Sequence, residues 1–375
     1  MSKSFNSLGL MSGTSGDGVD ASLISSDGKN HFKVLNDKYF KYDDKISDNI
    51  HLLKSRINNP DDIKNLYSEI IQLEKQITLF HSKVVLDVLK STNIKVDLIG
   101  FHGQTVFHSP TKKISKQLGD GNLLSQLVQK PVVYDFRQND IKNGGEGAPL
   151  SPIFHQILVK QMQLDLPVCV LNIGGISNVT VIDDMIDSHF ISRDLGPGNC
   201  LIDEWVRRNK KGNFDKDGQL AEAGVTNDLM LNQALDNFDN RPNKKNLSFD
   251  TKDFEINFLR GLTVEDGAAT LTDLTGIIIG AGLFSLLSDI KDKLCKVLIC
   301  GGGRKNKTLI KSIKLRTSKN LVIQSIDDYG IDGDFVESQA FAYLAIRSCL
   351  NLPISFPNTT GCKLPSPGGI IVKNF

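Results

Sequence analysis

The chain opens with an apolar run, a polar turn and a second apolar run, in the segment NSLGLMSGTSGDGVDASLI. This pattern predicts two strands joined by a glycine-rich turn. HFKVLNDKYF alternates well enough to extend the sheet, and VDLIGFHG predicts a later strand. Between these two segments, residues 62 to 89 carry apolar side chains at helical spacing, which predicts a long amphipathic helix.

The same design begins again near the middle of the chain. VCVLNIGGISNVTVID is again an apolar strand, a short polar turn and an apolar strand. The later elements that we predict are a helix from Cys200 to Asn209, a helix from Ala268 to about Lys293, a strand from Lys296 to Cys300 and a helix from about Asp334 to Cys349. Two halves of one design indicate duplicated α/β domains.

The length of the chain also favours two domains. Single hydrophobic cores stop growing near ~250–300 residues, and this chain has 375. We place the domains at residues 1–135 and 136–375, and the last helix packing back on the first domain stays an open alternative. We expect the active site in a cleft between the two domains.

Composition and charge exclude several kinds of protein. The chain is 40% hydrophobic and 23% charged, as an ordinary globular protein is, and its net charge of +1 provides no field to attract a nucleic acid. Six scattered cysteines without a CxxC pair fit a reducing cytosol. No export signal is visible, and the longest apolar stretch, LTGIIIGAGLFSLLS, is too short for a membrane span of ~18–20 residues. We therefore expect a cytoplasmic protein without a membrane partner, and a homodimer stays open.

Three glycine-rich turns are candidates for binding a nucleotide. Glycine permits positive φ and close approach of the backbone to a phosphate, and threonine or serine adds hydroxyl donors. The alternative for each is a plain tight turn, and none is a Walker A loop, which ends in GKT or GKS. The candidate residues are Gly13, Thr14, Ser15, Gly16, Asp17, Gly18, Val19 and Asp20 in the first turn, Asn172, Gly174 and Gly175 in the second, and Gly301, Gly302 and Gly303 in the third.

Asp194 is the candidate general base. It stands at a predicted strand end, directly before a Gly-Pro-Gly turn that includes Gly196. A base must be held rigidly beside the reacting atoms. The alternative is an aspartate that bonds the backbone of its own turn.

Two polar segments, FHGQTVFH and YDFRQNDIKNGGEGAPLSPIFHQ, and the carboxylate of Glu337 on a predicted helix are candidates for binding a sugar. Arg137 can pair with an anion through its planar guanidinium, or form a salt bridge with Asp135 or Asp140. His102 and His108 lack the spacing of a metal site, so we interpret them as structural or sugar-contacting. Glu337 is either capped by the first N–H groups of its helix or directed at a ligand. The candidates are His102, Gln104, Thr105, Arg137, Gly196 and Glu337.

The motifs together resemble a known family. The chain contains, in this order, MSGTSGDGVD, FHGQTVFH, QLGDGNLL, YDFRQNDI, GGEGAPLSPIFHQ, LNIGGISNV, DLGPGN, CGGGRKN, GIDGDFVESQAFAYLA and LPSPGG. It resembles the anhydro-N-acetylmuramic acid kinases of bacterial cell-wall recycling. The resemblance implies duplicated ribonuclease-H-like domains of the actin–hexokinase type. It also implies an ATP-dependent reaction that opens a 1,6-anhydro sugar with water and phosphorylates O6. We expect Mg²⁺ to be carried by ATP and assign no metal ligand among the protein residues.

The resemblance also implies roles for particular residues. Asp194 falls on the catalytic aspartate and the first turn on the ATP-binding loop, while Arg137, Glu337 and the HGQT segment fall in the sugar pocket. Three residues depart from the family pattern: Gly16 where leucine is expected, Glu146 where glutamine is common and Leu195 where threonine is usual. A conventional hexose kinase of the same fold and a non-catalytic nucleotide- or sugar-binding module remain the alternatives.

Overall fold

The computed structural model describes residues 3–186, 189–241, 247–288 and 293–375. They divide into two units. The first comprises the described residues within Met1–Gln163, Ile186–Ser188 and Phe335–Phe375, and the second those within Leu164–Met185 and His189–Asp334.

Twelve strands are found in the described residues. In chain order they are β1 (Phe5–Ser12), β2 (Gly18–Ser26), β3 (Phe32–Lys41), β4 (Leu98–Ser109), β5 (Ile114–Leu118), β6 (Val132–Tyr134), β7 (Val168–Ile173), β8 (Ile176–Ile182), β9 (Ile191–Pro197), β10 (Cys295–Cys300), β11 (Leu321–Ser325) and β12 (Ile370–Val372).

The α-helices of the same residues, in chain order, are α1 (Asp44–Arg56), α2 (Pro60–Asn65), α3 (Tyr67–Ser91), α4 (Gly121–Val128), α5 (Gln138–Lys142), α6 (Pro152–Met162), α7 (Cys200–Arg208), α8 (Gln219–Ala223), α9 (Asp228–Asp239), α10 (Val264–Leu286), α11 (Lys307–Leu315), α12 (Val336–Cys349) and α13 (Pro357–Thr360).

The two sheets have the same topology. In the first unit β1, β2 and β3 form an antiparallel meander, and β4 and then β6 follow in parallel on the other side of β1. In the second unit β7, β8 and β9 form the meander, and β10 and then β11 follow in parallel on the other side of β7. This shared order, with helices at the crossovers, is the ribonuclease-H-like arrangement. The predicted duplication of an α/β domain is confirmed.

The last long helix belongs to the first unit because two glycines let it lie directly on the sheet. A Cβ atom on Gly9 would lie 2.0 Å from the carbonyl oxygen of Ser338, and one on Gly100 would lie 2.3 Å from that of Phe341. No side chain fits at either place. The α12 helix therefore packs against β1, β2 and β4.

The division of the chain differs from the boundary expected between residues 135 and 136. The first unit continues through α6 to Gln163 because β6 pairs with β4 and α6 packs against α12. Residues 335–375 return to it through α12 and through β12, which pairs with β6.

Two helix predictions need correction. The helix predicted from residue 62 to 89 is interrupted at Leu66, because α2 has its own N-terminal capping box at Asn59 and α3 starts afresh at Tyr67. The helix predicted from Ala268 begins earlier, at Val264, because the hydroxyl of Thr263 accepts from the N–H of Asp266 and caps it. It ends at Leu286, and the predicted extension to Lys293 crosses residues 289–292, which lie outside the described residues.

The α10 helix forms the centre of the second unit. It is long and apolar enough to span a membrane by length and composition. Most of its residues are buried, however, and it packs against β9 and against α7, α8, α9 and α11. This is the environment of a core helix.

Candidate active site

The first glycine-rich turn is shorter than predicted. Gly18 begins β2, and Val19 is fully buried in the core of the first unit, so the turn comprises residues 13 to 17. Gly16 has a φ of 63°, and its N–H donates to the carbonyl oxygen of Gly13 over 3.1 Å. The positive φ favours glycine at this position.

Buried polar side chains hold this turn in place through hydrogen bonds. The hydroxyl of Ser12 donates to Oε1 of Gln104 over 2.8 Å, and Nε2 of Gln104 donates to the carbonyl oxygen of Gly13 over 2.9 Å. Tyr42 lies 3.0 Å from the same Ser12 hydroxyl. The hydroxyl of Ser12 has one proton and two acceptors within reach, Oε1 of Gln104 and the carbonyl oxygen of Gly18 at 2.9 Å, so the Tyr42 hydroxyl is the donor in that contact. Gln104 therefore fixes the turn and is itself fully buried.

A lysine side chain also contacts the first turn. The ammonium of Lys54, in the last turn of α1, donates to the carbonyl oxygen of Thr14 over 2.9 Å. The hydroxyl of Ser15 donates to the carboxylate of Asp17 over 2.5 Å. The sequence pattern gave no reason to connect Lys54 with the turn, since α1 is separated from it by β2 and β3.

Three candidate sugar-binding residues form one cluster in the first unit. Nδ1 of His102 donates to the carbonyl oxygen of Gly103 over 2.8 Å, which leaves Nε2 to accept from Arg137 over 2.9 Å. Burial, and then the charge of Arg137, hold the pKa of His102 well below its usual range. A neutral His102 thus orients Arg137, which also donates to the carbonyl oxygen of Gly147 over 2.7 Å.

Glu337 completes the cluster from the first turn of α12. Burial raises the pKa of Glu337, and the charge of Arg137 opposes this rise. Among the described residues no backbone N–H donates to its carboxylate, in contrast to the capping alternative. Asp140, the sequence-based partner considered for Arg137, accepts instead from the N–H of Gly147 over 2.7 Å and from the hydroxyl of Thr360 over 2.6 Å.

Thr105 lies beside this cluster on β4. Its side-chain oxygen accepts from Nε2 of Gln117 over 3.2 Å, and the residue is half-buried. His108 contacts the hydroxyl of Ser115 over 3.0 Å, as expected of a structural histidine.

The second glycine turn joins the start of α7 within the second unit. The N–H of Gly198 donates to the carbonyl oxygen of Gly175 over 2.9 Å, and that of Asn199 donates to Gly174 over 2.8 Å. A Cβ on Gly198 would lie 2.3 Å from the Gly174 oxygen. Glycine at this position therefore brings the two segments together.

The third glycine turn reaches the same edge of the sheet. It follows β10, which is parallel to β7, so the two strands end side by side. A Cβ on Gly301 would lie 2.4 Å from Oδ1 of Asn172, and one on Gly303 would lie 2.2 Å from Cγ2 of Ile173. The sequence-predicted residues of the second and third turns are thus in contact.

Some glycines in these turns have open space above them. An added Cβ would find its nearest neighbour 3.7 Å away at Gly13, 3.6 Å at Gly174 and 3.9 Å at Gly302. Exposed backbone with this clearance can receive phosphate oxygens. Each of these three glycines therefore leaves room for a ligand against its backbone.

Arg304 anchors the third turn, and sequence reasoning missed it. Its side chain is only 5% exposed and is paired with Asp327 over 2.7 Å, Asp332 over 3.0 Å and Asp334. It also donates to the carbonyl oxygen of Gly301 over 3.1 Å. The available signal was an arginine directly after three glycines, together with four aspartates between residues 327 and 334 later in the chain.

Asp194 lies inside β9, which corrects the prediction of a strand end. Gly196 and Pro197 continue the strand, and β9 is the edge of its sheet, where proline is tolerated. The Asp194 carboxylate accepts from the N–H of Phe249 over 2.8 Å, and its own N–H donates to Leu247 over 2.8 Å. Phe249 therefore joins the candidate site, and nothing in the sequence pattern pointed to it.

A β-bulge separates Asp194 from Gly196. Ser177 pairs with Gly196 and Asn178 pairs with Asp194, so Leu195 is the extra residue. Leu195 is buried in the core of the second unit, where Gly282 leaves room for it. A Cβ on Gly196 would lie 2.6 Å from Cγ2 of Ile278, so close packing requires this glycine. Leu195 is therefore a core side chain and does not extend toward the site.

Protein metal ligands are not grouped at these turns. Among the described residues no group of three or more His, Cys, Asp or Glu side chains is placed to hold a metal ion.

Comparison with known proteins identifies relatives along the whole chain. The family model of anhydro-N-acetylmuramic acid kinase matches residues 6–374. The anhydro-N-acetylmuramic acid kinase of Pelagibacter ubique (strain HTCC1062) is 53% identical over 375 residues, 100% of both chains. That of Zymomonas mobilis subsp. mobilis is 39% identical over 97% of this chain and 98% of the relative.

Solved structures that cover most of this chain have low sequence identity to it. The activator of the 2-hydroxyisocaproyl-CoA dehydratase from Clostridium difficile, with bound ADPNP, is 9% identical with a TM-score of 0.42, over 92% of this chain and 96% of the other. A ROK family glucokinase from Streptomyces griseus, in complex with glucose and AMPPNP, is 11% identical with a TM-score of 0.38, over 90% and 98%. At these scores neither structure adds to the argument.

Proposed function

Because the chain belongs to the anhydro-N-acetylmuramic acid kinase family, we propose that it opens the 1,6-anhydro bridge of this sugar with water and phosphorylates O6 from ATP. The proposed products are N-acetylmuramic acid 6-phosphate and ADP, and the proposed setting is peptidoglycan recycling in the cytoplasm. The observation that carries the proposal is the family match over residues 6–374. It does not favour a conventional hexose kinase or a non-catalytic module.

Asp194 is the proposed general base. Its carboxylate is fixed by the N–H of Phe249, and β9 brings it to the same end of the sheet as the Gly174–Gly175 turn. A carboxylate held in this way can accept a proton from water as the water attacks C1. The C1–O6 bond breaks, O6 bonds to the γ-phosphorus, and the bond from that phosphorus to the β-phosphate oxygen breaks. The accepted proton then leaves Asp194 for solvent.

The glycine turns are the proposed contacts for ATP. In the first unit the Gly13 turn offers backbone N–H groups and the hydroxyl of Thr14, while the hydroxyl of Ser15 would have to leave the carboxylate of Asp17 to donate to ATP. In the second unit Gly174 and Gly302 offer open backbone, and Asn172 lies against Gly301. Backbone donors of this kind offset the charge of a transferring phosphoryl group.

Arg137 and Glu337 are the proposed contacts for the sugar. A guanidinium oriented by neutral His102 can pair with the carboxylate that a muramic acid carries. A half-buried carboxylate beside it can accept from a sugar hydroxyl or amide. Mg²⁺ is proposed to arrive on the phosphates of ATP, whose charge it neutralises.

Mass spectrometry of the product tests the proposed reaction. Incubation with ATP, Mg²⁺ and 1,6-anhydro-N-acetylmuramic acid should give a sugar phosphate that has gained one water. A phosphorylated product without added water, or turnover of glucose but not of the anhydro sugar, would contradict the proposal.

Gln104→Met should weaken the use of ATP. The variant keeps the approximate size of the side chain and removes the donor that holds the carbonyl of Gly13. We expect KM for ATP to rise about tenfold, equivalent to about 1.4 kcal/mol, as for one lost hydrogen bond, with a smaller change in kcat. Gln117→Met on β5 is the matched control, because Gln117 bonds Thr105 and Ser115 and not the turn. Equal effects of the two variants would contradict a role of Gln104 in fixing the turn.

A further inference from the structure

Three polar residues form a row across the second sheet. Asn172 on β7 pairs with Asn178 on β8, and Asn178 pairs with Asp194 on β9. Directly paired residues of neighbouring strands extend their side chains on the same face of the sheet. Asn178 therefore stands between Asn172, which lies against the third glycine turn, and the proposed base Asp194.

The pair of Asn178 and Asp194 is a close one. The N–H of Asp194 donates to Leu247, away from β8. The N–H and C=O of one strand residue point to the same side, so this is the non-hydrogen-bonded type of pair, in which Cα atoms are about 4.5 Å apart and side chains are closest. The bulge at Leu195 bends β9 directly after Asp194.

The side chain of Asn178 lacks a hydrogen bond that its position demands. Its Oδ1 atom is buried and has no partner among the described residues. A buried acceptor without a donor costs about 1–3 kcal/mol, so an apolar residue would be the more stable choice if Asn178 served packing alone. The unmet acceptor indicates a ligand that donates.

The carboxylate of Asp194, beside Asn178, limits which ligand can donate this hydrogen bond. The carboxylate of Asp194 is also an acceptor when it acts as a base. A small ligand that contacts both side chains must then donate two hydrogen bonds, and water does this from a single oxygen atom. With both protons directed at Asp194 and Asn178, the lone pairs of the water point away from the sheet.

We propose that Asn178 holds the attacking water together with Asp194 and thereby orients it toward C1 of the sugar. This inference rests on the proposed function, in which water opens the anhydro bridge. One proton of the water passes to Asp194 as its oxygen bonds to C1 and the C1–O6 bond breaks. The hydrogen bond to Asn178 persists through the step and fixes the direction of attack.

Asn178→Leu tests the proposal through the kinetics of the full-length enzyme. The substitution removes the acceptor at similar size. We expect kcat to fall about 10²-fold, as for a misplaced reactant, while KM for ATP stays within about threefold and the unfolding midpoint does not fall. Thr180→Val is the matched control, because Thr180 lies two residues further along β8, on the same face, and bonds Ser192. It should keep kcat within about threefold.

Asn178→Asp provides a second readout that a structural role would not change. Its shape is that of asparagine, but it places a second carboxylate beside Asp194. Two carboxyl groups at one site resist double ionisation, so the acidic limb of the kcat profile should move to higher pH. This variant decides the question if Asn178→Leu does not fold.

The outcomes separate this inference from the proposed function. If the wild-type enzyme forms no hydrated 6-phosphate, the proposed function fails. If the wild type is active but Asn178→Leu keeps near-normal kcat, or raises only KM for ATP, or if Asn178→Asp leaves the acidic limb in place, the water-holding role is wrong.

Discussion

Asp194→Asn should lower kcat by about 10²-fold or more, because the amide keeps the shape of the side chain and cannot accept the proton. The acceptor oxygen that bonds the N–H of Phe249 remains available, so folding and KM for ATP should change little. Steady-state kinetics together with thermal unfolding measure both effects.

The control for this variant is another aspartate of the second unit. Asp228 is exposed in the first turn of α9, and Asp228→Asn should retain full activity. If Asp194→Asn kept near-normal kcat and raised only KM for the sugar, Asp194 would position the substrate instead. Glu337 would then be the next candidate for the base.

Arg304→Met should destabilise the second unit and weaken the use of ATP. The substitution removes the cation that three carboxylates surround, of which only Asp334 retains a second cation among the described residues, Lys305. Breaking a buried pair costs roughly 3–5 kcal/mol, and the partial exposure of these aspartates favours the lower end, about 3 kcal/mol. The carbonyl of Gly301 also loses its donor, so KM for ATP should rise. Urea unfolding and steady-state kinetics test the two effects.

Arg316→Met is the matched control, since Arg316 pairs with one partly exposed carboxylate, Asp273, over 3.1 Å. Loss of this pair should lower the free energy of unfolding by about 1 kcal/mol or less. Equal destabilisation by the two variants, or an unchanged KM for ATP in Arg304→Met, would contradict the role given to Arg304.

The same cluster should make stability depend on acid pH. Burial alone would raise the pKa of Asp327, but hydrogen bonds from Arg304, Gly333 and Ser325 outweigh it and lower the pKa to about 2, from 3.8. A carboxyl group with a depressed folded-state pKa contributes stability above its unfolded pKa and loses it as the pH falls toward the folded one. The contribution is therefore lost between about pH 4 and pH 2, and Arg304→Met should reduce this part of the acid sensitivity.

Local patterns predicted the elements of the fold well. The opening hairpin, its repetition at β7 and β8, and the helix after Asn199 all follow from apolar runs interrupted by glycine and polar residues. The starts of the helices were predicted less closely. They are set by single capping residues, such as Asn59 and Thr263, and the spacing of apolar residues does not reveal these caps. The division into units could not be predicted in the same way, because it depends on how closely α12 approaches Gly9 and Gly100.

Residues of the candidate site could be predicted where they lie within one contiguous sequence motif. The three glycine turns, Asp194, Arg137 and Glu337 are of this kind. Residues that support them, such as Ser12, Phe249 and Arg304, act through contacts between distant segments or through single hydrogen bonds. Asn178 was within a recognised motif, but its relation to Asp194 exists only in the register of β8 and β9.

The return of α12 to the first unit has a consequence for synthesis on the ribosome. Contacts such as that between Ser22 and Ser338 join residues 316 positions apart, and such long loops close late and at a cost in entropy. The second unit is encoded almost without interruption, so it can fold while translation continues. The sheet of the first unit, although made first, cannot receive its final helix until the end of translation.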